Sequence, residues 1–384
     1  MLVNSTLAIY QYDDKRWVVQ TAEGRNILVN QPTASLIQIL SESESVEVAR
    51  ETFCVQFCTT ISTEKFAQLI YEKIGGYQIL VQDTRPLRPE MPQYLSMKVP
   101  LLKPSIAGFL AKPLTIFYGK DIFWKILSVV FVFCLVNFIY GINHFPRLIS
   151  GTNYWVVISL LYMSLLFHEL GHIAACARCG IKHGEIGFGF YFIFPVVYAD
   201  ITKIWTAKKQ ERIIANLAGI FAEIIYCCLL FISFLITDDL AFWVAFASVF
   251  SKALLELNPF VRYDGYWILS DLTNTPNLLA KANRLVSLTQ LKKFIFDRKS
   301  ASKSDYWLFL YGSINMFFFF GYFCYMISFY GVKILNFPIT IYNVFFKLIT
   351  LSISWQDLKM EYLLIFFFYI LIFRYLKRLV TRFF

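Results

Sequence analysis

FHELGH, residues 167–172, lies inside an apolar run from Tyr154 to Ala177. The run is long enough to cross a bilayer as a helix, since about 20 residues suffice. Two of the chain's four histidines, His168 and His172, stand four residues apart within it. On a helix that spacing puts both imidazoles on one face, one turn apart, where a single metal ion can take both. Glu169 is turned by about 100° from His168, close enough to hold a water at the metal without ligating it. Those are the mechanics of H-E-x-x-H, two zinc ligands and a general base. The motif also arises by chance in soluble helices. Inside a membrane span the balance shifts, because two histidines and a glutamate in lipid are costly unless satisfied and so mark function.

The rest of the chain agrees with a membrane setting. Its 384 residues are 57% hydrophobic and 18% aromatic, with 40 Phe and 23 Tyr, and only 16% are charged. That length has room for about two domains. The net charge of +10 raises the question of nucleic acid. Lys and Arg instead lie in loops beside apolar spans, as the positive-inside rule describes. The eight cysteines form no disulfide framework, and Cys176 and Cys179, at C-x-x-C spacing, have no second pair to make a zinc ribbon. The first hundred residues are polar and mixed and show no signal-peptide pattern.

Apolar runs at about 122–142, 154–177, 213–236, 242–257, 306–330 and 358–379 predict an α-helical polytopic membrane protein with about six spans. Residues 339–353 are too short to cross and are expected on the outer surface, as is the Arg147 loop. The basic segments 178–212 and 261–303, the second with Lys292, Lys293, Arg298 and Lys299, are cytoplasmic by their Lys/Arg bias, which puts both termini inside. Within the first, GEIGFGFYFIFPVVYADITKIW (184–205) is aromatic, β-branched and marked by Gly and Pro, so it predicts a hairpin able to present a strand to a substrate.

Zinc in a hydrolase takes three protein ligands and keeps one position open. His144 lies outside and His183 in the cytoplasmic loop. The best third candidate is Asp264 in NPFVRYDG (258–265), the turn after the fourth span. His172 is about 9 Å of helix from Arg178 at the same interface, so the depths match. Asn258, in that turn, is a candidate for supporting the site or touching substrate. Glu223 shares a helical face with Asn216 and Gly219, about 16 Å in from Arg212. A carboxylate at that depth needs a donor, and the second N–H of a ligating histidine is one candidate.

Residues 1–85 read as a small α+β domain. Short strands at 7–12, 16–22 and 26–30 precede helical patterns at 33–40, 46–57 and from a cap at Thr63, which puts Phe66, Leu69, Ile70 and Ile74 on one face. Gly75-Gly76 ends that helix, and 77–81 is expected as a last strand. The order suggests a winged-helix-like cytosolic module without a basic recognition helix, so no nucleic acid is expected. Through RNILVNQPTASLIQIL, VEVARETFCVQF and TEKFAQLIYEKIGGYQIL it resembles the peptide-recognition element of modified-peptide biosynthesis, typified by the small carrier-type protein of pyrroloquinoline quinone synthesis. The resemblance implies that a precursor's leader adds as a strand to the sheet edge and rests on the last helix. Residues 86–120 then read as linker and interfacial segment, and 121–384 as the membrane domain with a core at about 153–280.

Over about residues 150–280, HELGHIAACARCG, FPVVYADITKIW, LAGIFAE and NPFVRYDGYWILSDLTNTPNL resemble the site-2 protease-type intramembrane zinc metallopeptidases, in the branch of peptide zinc metalloproteases. The resemblance implies a three-helix core, one Zn2+ per chain on His168, His172 and Asp264, and Glu169 as base. Glu223 stands where site-2 proteases usually carry Asn, a departure that the peptide-metalloprotease branch shares. The expected activity is maturation of a peptide precursor in a bacterial cell membrane. Regulated cleavage of a membrane-bound signalling protein, or a non-proteolytic role in peptide export or immunity, are the alternatives. Oligomeric state is not readable from the chain.

Overall fold

The computed structural model describes residues 3–4, 7–21, 26–81, 83, 95–144, 152–191, 194–286, 303–350 and 360–383. The Arg147 loop, the stretch 84–94, the basic stretch 287–302 with Lys292, Lys293, Arg298 and Lys299, and the start of the sixth expected span lie outside the described residues. The chain divides into two units, Met1–Pro276 and Asn277–Phe384.

The first unit opens with an antiparallel meander, β1 (Ala8–Asp13), β2 (Arg16–Gln20) and β3 (Asn26–Asn30). Three helices follow, α1 (Gln31–Glu42), α2 (Val46–Gln56) and α3 (Thr63–Ile74). Each starts where a side-chain oxygen takes an early backbone N–H: Asn30 from Thr33, Ser45 from Val48, Ser62 from Lys65. The cap of α3 is therefore Ser62 and not Thr63. Ser62 still has extended backbone, the conformation that turns a cap oxygen toward the first turn. Phe66, Ile70 and Ile74 are buried with Leu36, Leu40 and Phe53 in a core of their own, and Leu69 packs at its margin. The strand expected at 77–81 shrinks to a bridge between Leu80 and Val3. Gly76 and Gln78 both have positive φ (78° and 62°), which breaks an extended run.

The expected linker is structured where it is described. Its β4 (Leu95–Leu102) pairs antiparallel with β5 (Ile186–Tyr191), which pairs with β6 (Phe194–Ala199), in the order β4-β5-β6. The hairpin is thus present, with one edge covered by the chain's own strand. Then come α4 (Pro104–Ala111), a 3-10 turn (Lys112–Tyr118), and the helices α5 (Lys120–His144), α6 (Tyr154–Arg178), α7 (Lys209–Thr237), α8 (Leu240–Glu256) and α9 (Asp264–Leu272). Asn153 caps α6 and Asp239 caps α8. Asp238, in the left-handed region, makes the tight turn between α7 and α8. The central helix is α7: 56% of its most apolar window is buried, against 11% for α5. Small residues (Ala174, Ala175, Ala215, Ala218, Ala245) let α6, α7 and α8 approach, and Phe221, Phe246 and Phe250 fill the space between them.

The second unit holds α10 (Leu278–Leu285), α11 (Lys303–Ile349) and α12 (Met360–Phe383). The expected fifth span and the expected surface segment at 339–353 are not separate up to Ile349: α11 runs on through Pro338. Proline cannot bond the carbonyl four residues back. Here that carbonyl, Ile334 O, accepts the Tyr369 hydroxyl of α12 at 2.8 Å, and Phe337 stacks on the Tyr369 ring. Among the described residues four helices are long and apolar enough to cross a membrane: α5, α6, α7 and the stretch Ser304–Lys347 of α11. At 17 residues α8 falls below that length, about 26 Å of helix.

Candidate metal centre

Consecutive turns of α6 present His168 and His172 to the same side, with Nε2 atoms 3.1 Å apart. Asp264, the first residue of α9, brings Oδ2 to 3.3 Å from each of them. Ligand atoms about 2.0–2.1 Å from a tetrahedral zinc ion stand about 3.3 Å from one another. The triangle of 3.1, 3.3 and 3.3 Å therefore fits one face of a zinc site. Two further features fit a cation. Asp264 Oδ2 is buried without a hydrogen bond, an arrangement that costs about 1–3 kcal/mol if nothing completes it. A Cβ on Gly219 of α7 would lie 2.5 Å from both Nε2 atoms, so any larger residue would fill the space beside them.

The surroundings orient these groups. The Nδ1–H of His172 donates to the Ala215 carbonyl at 2.7 Å, which leaves the lone pair on Nε2 turned toward Asp264. A Cβ on Gly265 would meet the Leu257 carbonyl at 2.1 Å, so only glycine lets α9 begin this close to the end of α8. Asn258 is not among the donors. Its side-chain oxygen accepts the Phe260 N–H at 2.9 Å and so shapes the turn that delivers Asp264. Glu169 is buried. The second strand of the hairpin, β6, packs against α6, the helix that carries the expected base.

Glu223 does lie at the site, with Oε2 3.5 Å from His168 Nδ1. Two neighbours escaped sequence reasoning. Glu256 Oε2 stands 3.3 Å from the same Nδ1. Lys252 bonds Glu223 Oε1, and Glu256 Oε1 at 2.7 Å. A signal existed, since an i, i+4 pair of opposite charges inside the apolar run 242–257 calls for a reason.

A second polar network seats the N-terminal domain on the helices. Asp271 Oδ1 accepts from Arg212 Nε at 2.7 Å and from the Tyr12 hydroxyl at 3.3 Å, and Oδ2 accepts from Asn216 Nδ2 at 2.8 Å. The Arg212 guanidinium lies 3.8 Å from the centre of the Tyr12 ring, and Arg16 donates to the Asn274 carbonyl at 2.6 Å. Burial, with the Asp271 carboxylate beside it, pushes the Tyr12 phenol up to about 12, so it remains a donor. Asn216, expected on the face of Glu223, is therefore engaged away from the metal donors. Cys176 is buried and Cys179 half-buried, both as free thiols, and neither joins a metal-capable group among the described residues.

A protein of Bacillus subtilis (strain 168) named "Putative peptide zinc metalloprotease protein YydH" is 29% identical over 154 residues, 38% of this chain and 61% of that protein. The matched part thus spans less than two thirds of that relative. No solved structure matches the chain. The family model for peptidase family M50 matches residues 156–373. That stretch is more than half of the chain and contains all three donor residues, and on this ground the chain belongs to peptidase family M50.

Proposed function

We propose that the chain is a zinc-dependent membrane endopeptidase that cleaves a leader-bearing peptide precursor at or near the cytoplasmic face. The observation that carries this reading is the buried triangle of His168 Nε2, His172 Nε2 and Asp264 Oδ2 with Glu169 on the same helix. These three residues would hold one zinc ion per chain, and zinc bound there supplies a Lewis acid for the scissile carbonyl and the attacking water. Glu169 takes the proton of that water and passes it to the departing amine. The Ala215 carbonyl keeps His172 in one tautomer throughout. Of the hairpin's two edges that of β5 is taken by β4, so the outer edge of β6, the strand packed against α6, is offered for a substrate strand.

Residues 1–85 would bind the leader and raise the local concentration of the cleavage site. Residues 86–120 join them to a metallopeptidase domain at 121–384, whose core is about 153–280. Six spans with both termini cytoplasmic, in a bacterial cell membrane, complete the reading. The name of the Bacillus relative supports a peptide substrate. The experiment is zinc content and precursor cleavage of the purified chain and of Glu169→Gln, with the precursor intact and without its leader. The expected outcome is one zinc in both proteins, cleavage only by the wild type, and slower cleavage of the leaderless precursor. Turnover by Glu169→Gln equal to wild type would remove the base from the reading.

A further inference from the structure

Three buried polar atoms beside the metal donors have no hydrogen bond of their own: His168 Nδ1, Glu223 Oε2 and Glu256 Oε2. They face one another, Nδ1 lying 3.5 Å from the first oxygen and 3.3 Å from the second. Each buried orphan costs about 1–3 kcal/mol, and each has another of the three within 3.5 Å. The remaining oxygen of each carboxylate is engaged, Glu223 Oε1 and Glu256 Oε1 both bonding the Lys252 ammonium. Without a cation between them, two carboxylates at this depth would repel each other and neither would hold its place.

We propose that Lys252 and Glu256 of α8, with Glu223 of α7, form a clamp that positions His168 for zinc. This rests on the zinc reading above and goes beyond it. The ammonium fixes both carboxylates so that one oxygen of each faces Nδ1. Whichever oxygen takes the Nδ1–H, the imidazole is held with Nε2 toward His172 and Asp264. The same donors, His168, Glu223 and Glu256, also meet the distance requirement for a second metal ion. The ammonium, bonded to the other oxygen of each carboxylate, already supplies the positive charge that such an ion would bring. Lys252 and Glu256 are positioning residues. They act on the metal through His168 and touch neither zinc nor substrate.

The test uses the full chain in detergent micelles, as wild type, Glu256→Gln, Lys252→Met and Lys252→Arg. Zinc affinity is read by competition with a chromophoric chelator, ligand geometry by the visible spectrum of the cobalt-substituted protein, and cleavage by kcat and KM. Glu256→Gln and Lys252→Met should each weaken zinc about 10- to 100-fold, the usual effect of removing an outer partner of a ligand. The cobalt bands should shift, and kcat should fall with KM held. Lys252→Arg keeps the cation and should stay nearer the wild type than Lys252→Met. If Lys252→Met does not fold, the nearly isosteric Glu256→Gln carries the test alone. Wild-type zinc affinity and an unshifted cobalt spectrum in Glu256→Gln would overturn the clamp while leaving the peptidase reading intact. A wild-type chain that binds no zinc would overturn both.

Discussion

Asp264 and Asp271 sit at the two ends of α9, seven residues and about 10 Å apart. Both are largely enclosed, and their polar surroundings differ. Asp271 has donors on both oxygens, from Arg212, Tyr12 and Asn216. Asp264 has an oxygen with no hydrogen bond, placed 3.3 Å from two imidazole nitrogens. The first carboxylate is satisfied by protein donors alone, and its network holds the N-terminal domain against the helices. The second leaves an oxygen free for a cation, as the zinc proposal requires. Satisfaction of the buried carboxylate, more than its burial, separates the structural end of the helix from the chemical one.

The sharpest way to break this comparison is to remove each carboxylate in turn. Asp264→Ala should lose zinc by more than the roughly 100-fold that an outer partner is worth, with the fold kept. Asp271→Ala should keep zinc and lose stability instead, by about 3–5 kcal/mol, because it leaves the Arg212 charge buried and unpaired. Chelator competition and thermal unfolding on both variants read the two effects. Equal loss of zinc in both would show that α9 is one functional unit with no division of labour.

Gly219→Ala sharpens the metal side. The added methyl would stand 2.5 Å from both Nε2 atoms, and overpacking of this kind costs about 1–3 kcal/mol. Zinc affinity should drop by about 10- to 100-fold, since about 1.4 kcal/mol is tenfold. Unchanged affinity would mean that α7 yields easily at this point. The smallest effect is expected at the other end. Tyr12→Phe removes one hydroxyl from Asp271 and should cost about 1 kcal/mol, leaving zinc untouched. Limited proteolysis should cut faster between the N-terminal domain and α5. A Tyr12→Phe protein with weakened zinc would tie the domain directly to the site.

Much of the candidate site was legible in the sequence. The four-residue spacing of His168 and His172 became two imidazoles on one face because helical geometry allows nothing else. Asp264 came from matching depths along two helices, and Glu223 from the rule that a carboxylate inside a span needs a partner. Other readings needed correction, and always where a distant residue intervened. The helix through Pro338 persists because Tyr369, 31 residues on, takes the freed carbonyl. The linker became β4 because a hairpin about 90 residues away offered it an edge.

The sequence by itself determined the elements whose pattern repeats within a few residues: the apolar helices, the three-helix N-terminal domain, the paired histidines and their glutamate. Such patterns follow from 3.6 residues per turn and two per strand repeat. Only the tertiary structure decided which carboxylates face His168 Nδ1, where Lys252 places its ammonium, and that Tyr12 meets Arg212 and Asp271. Apart from the Lys252–Glu256 pair, four residues apart, those contacts join residues between 29 and 259 positions apart. No local period encodes them, because they exist only once packing has brought the faces of α6, α7, α8 and α9 together.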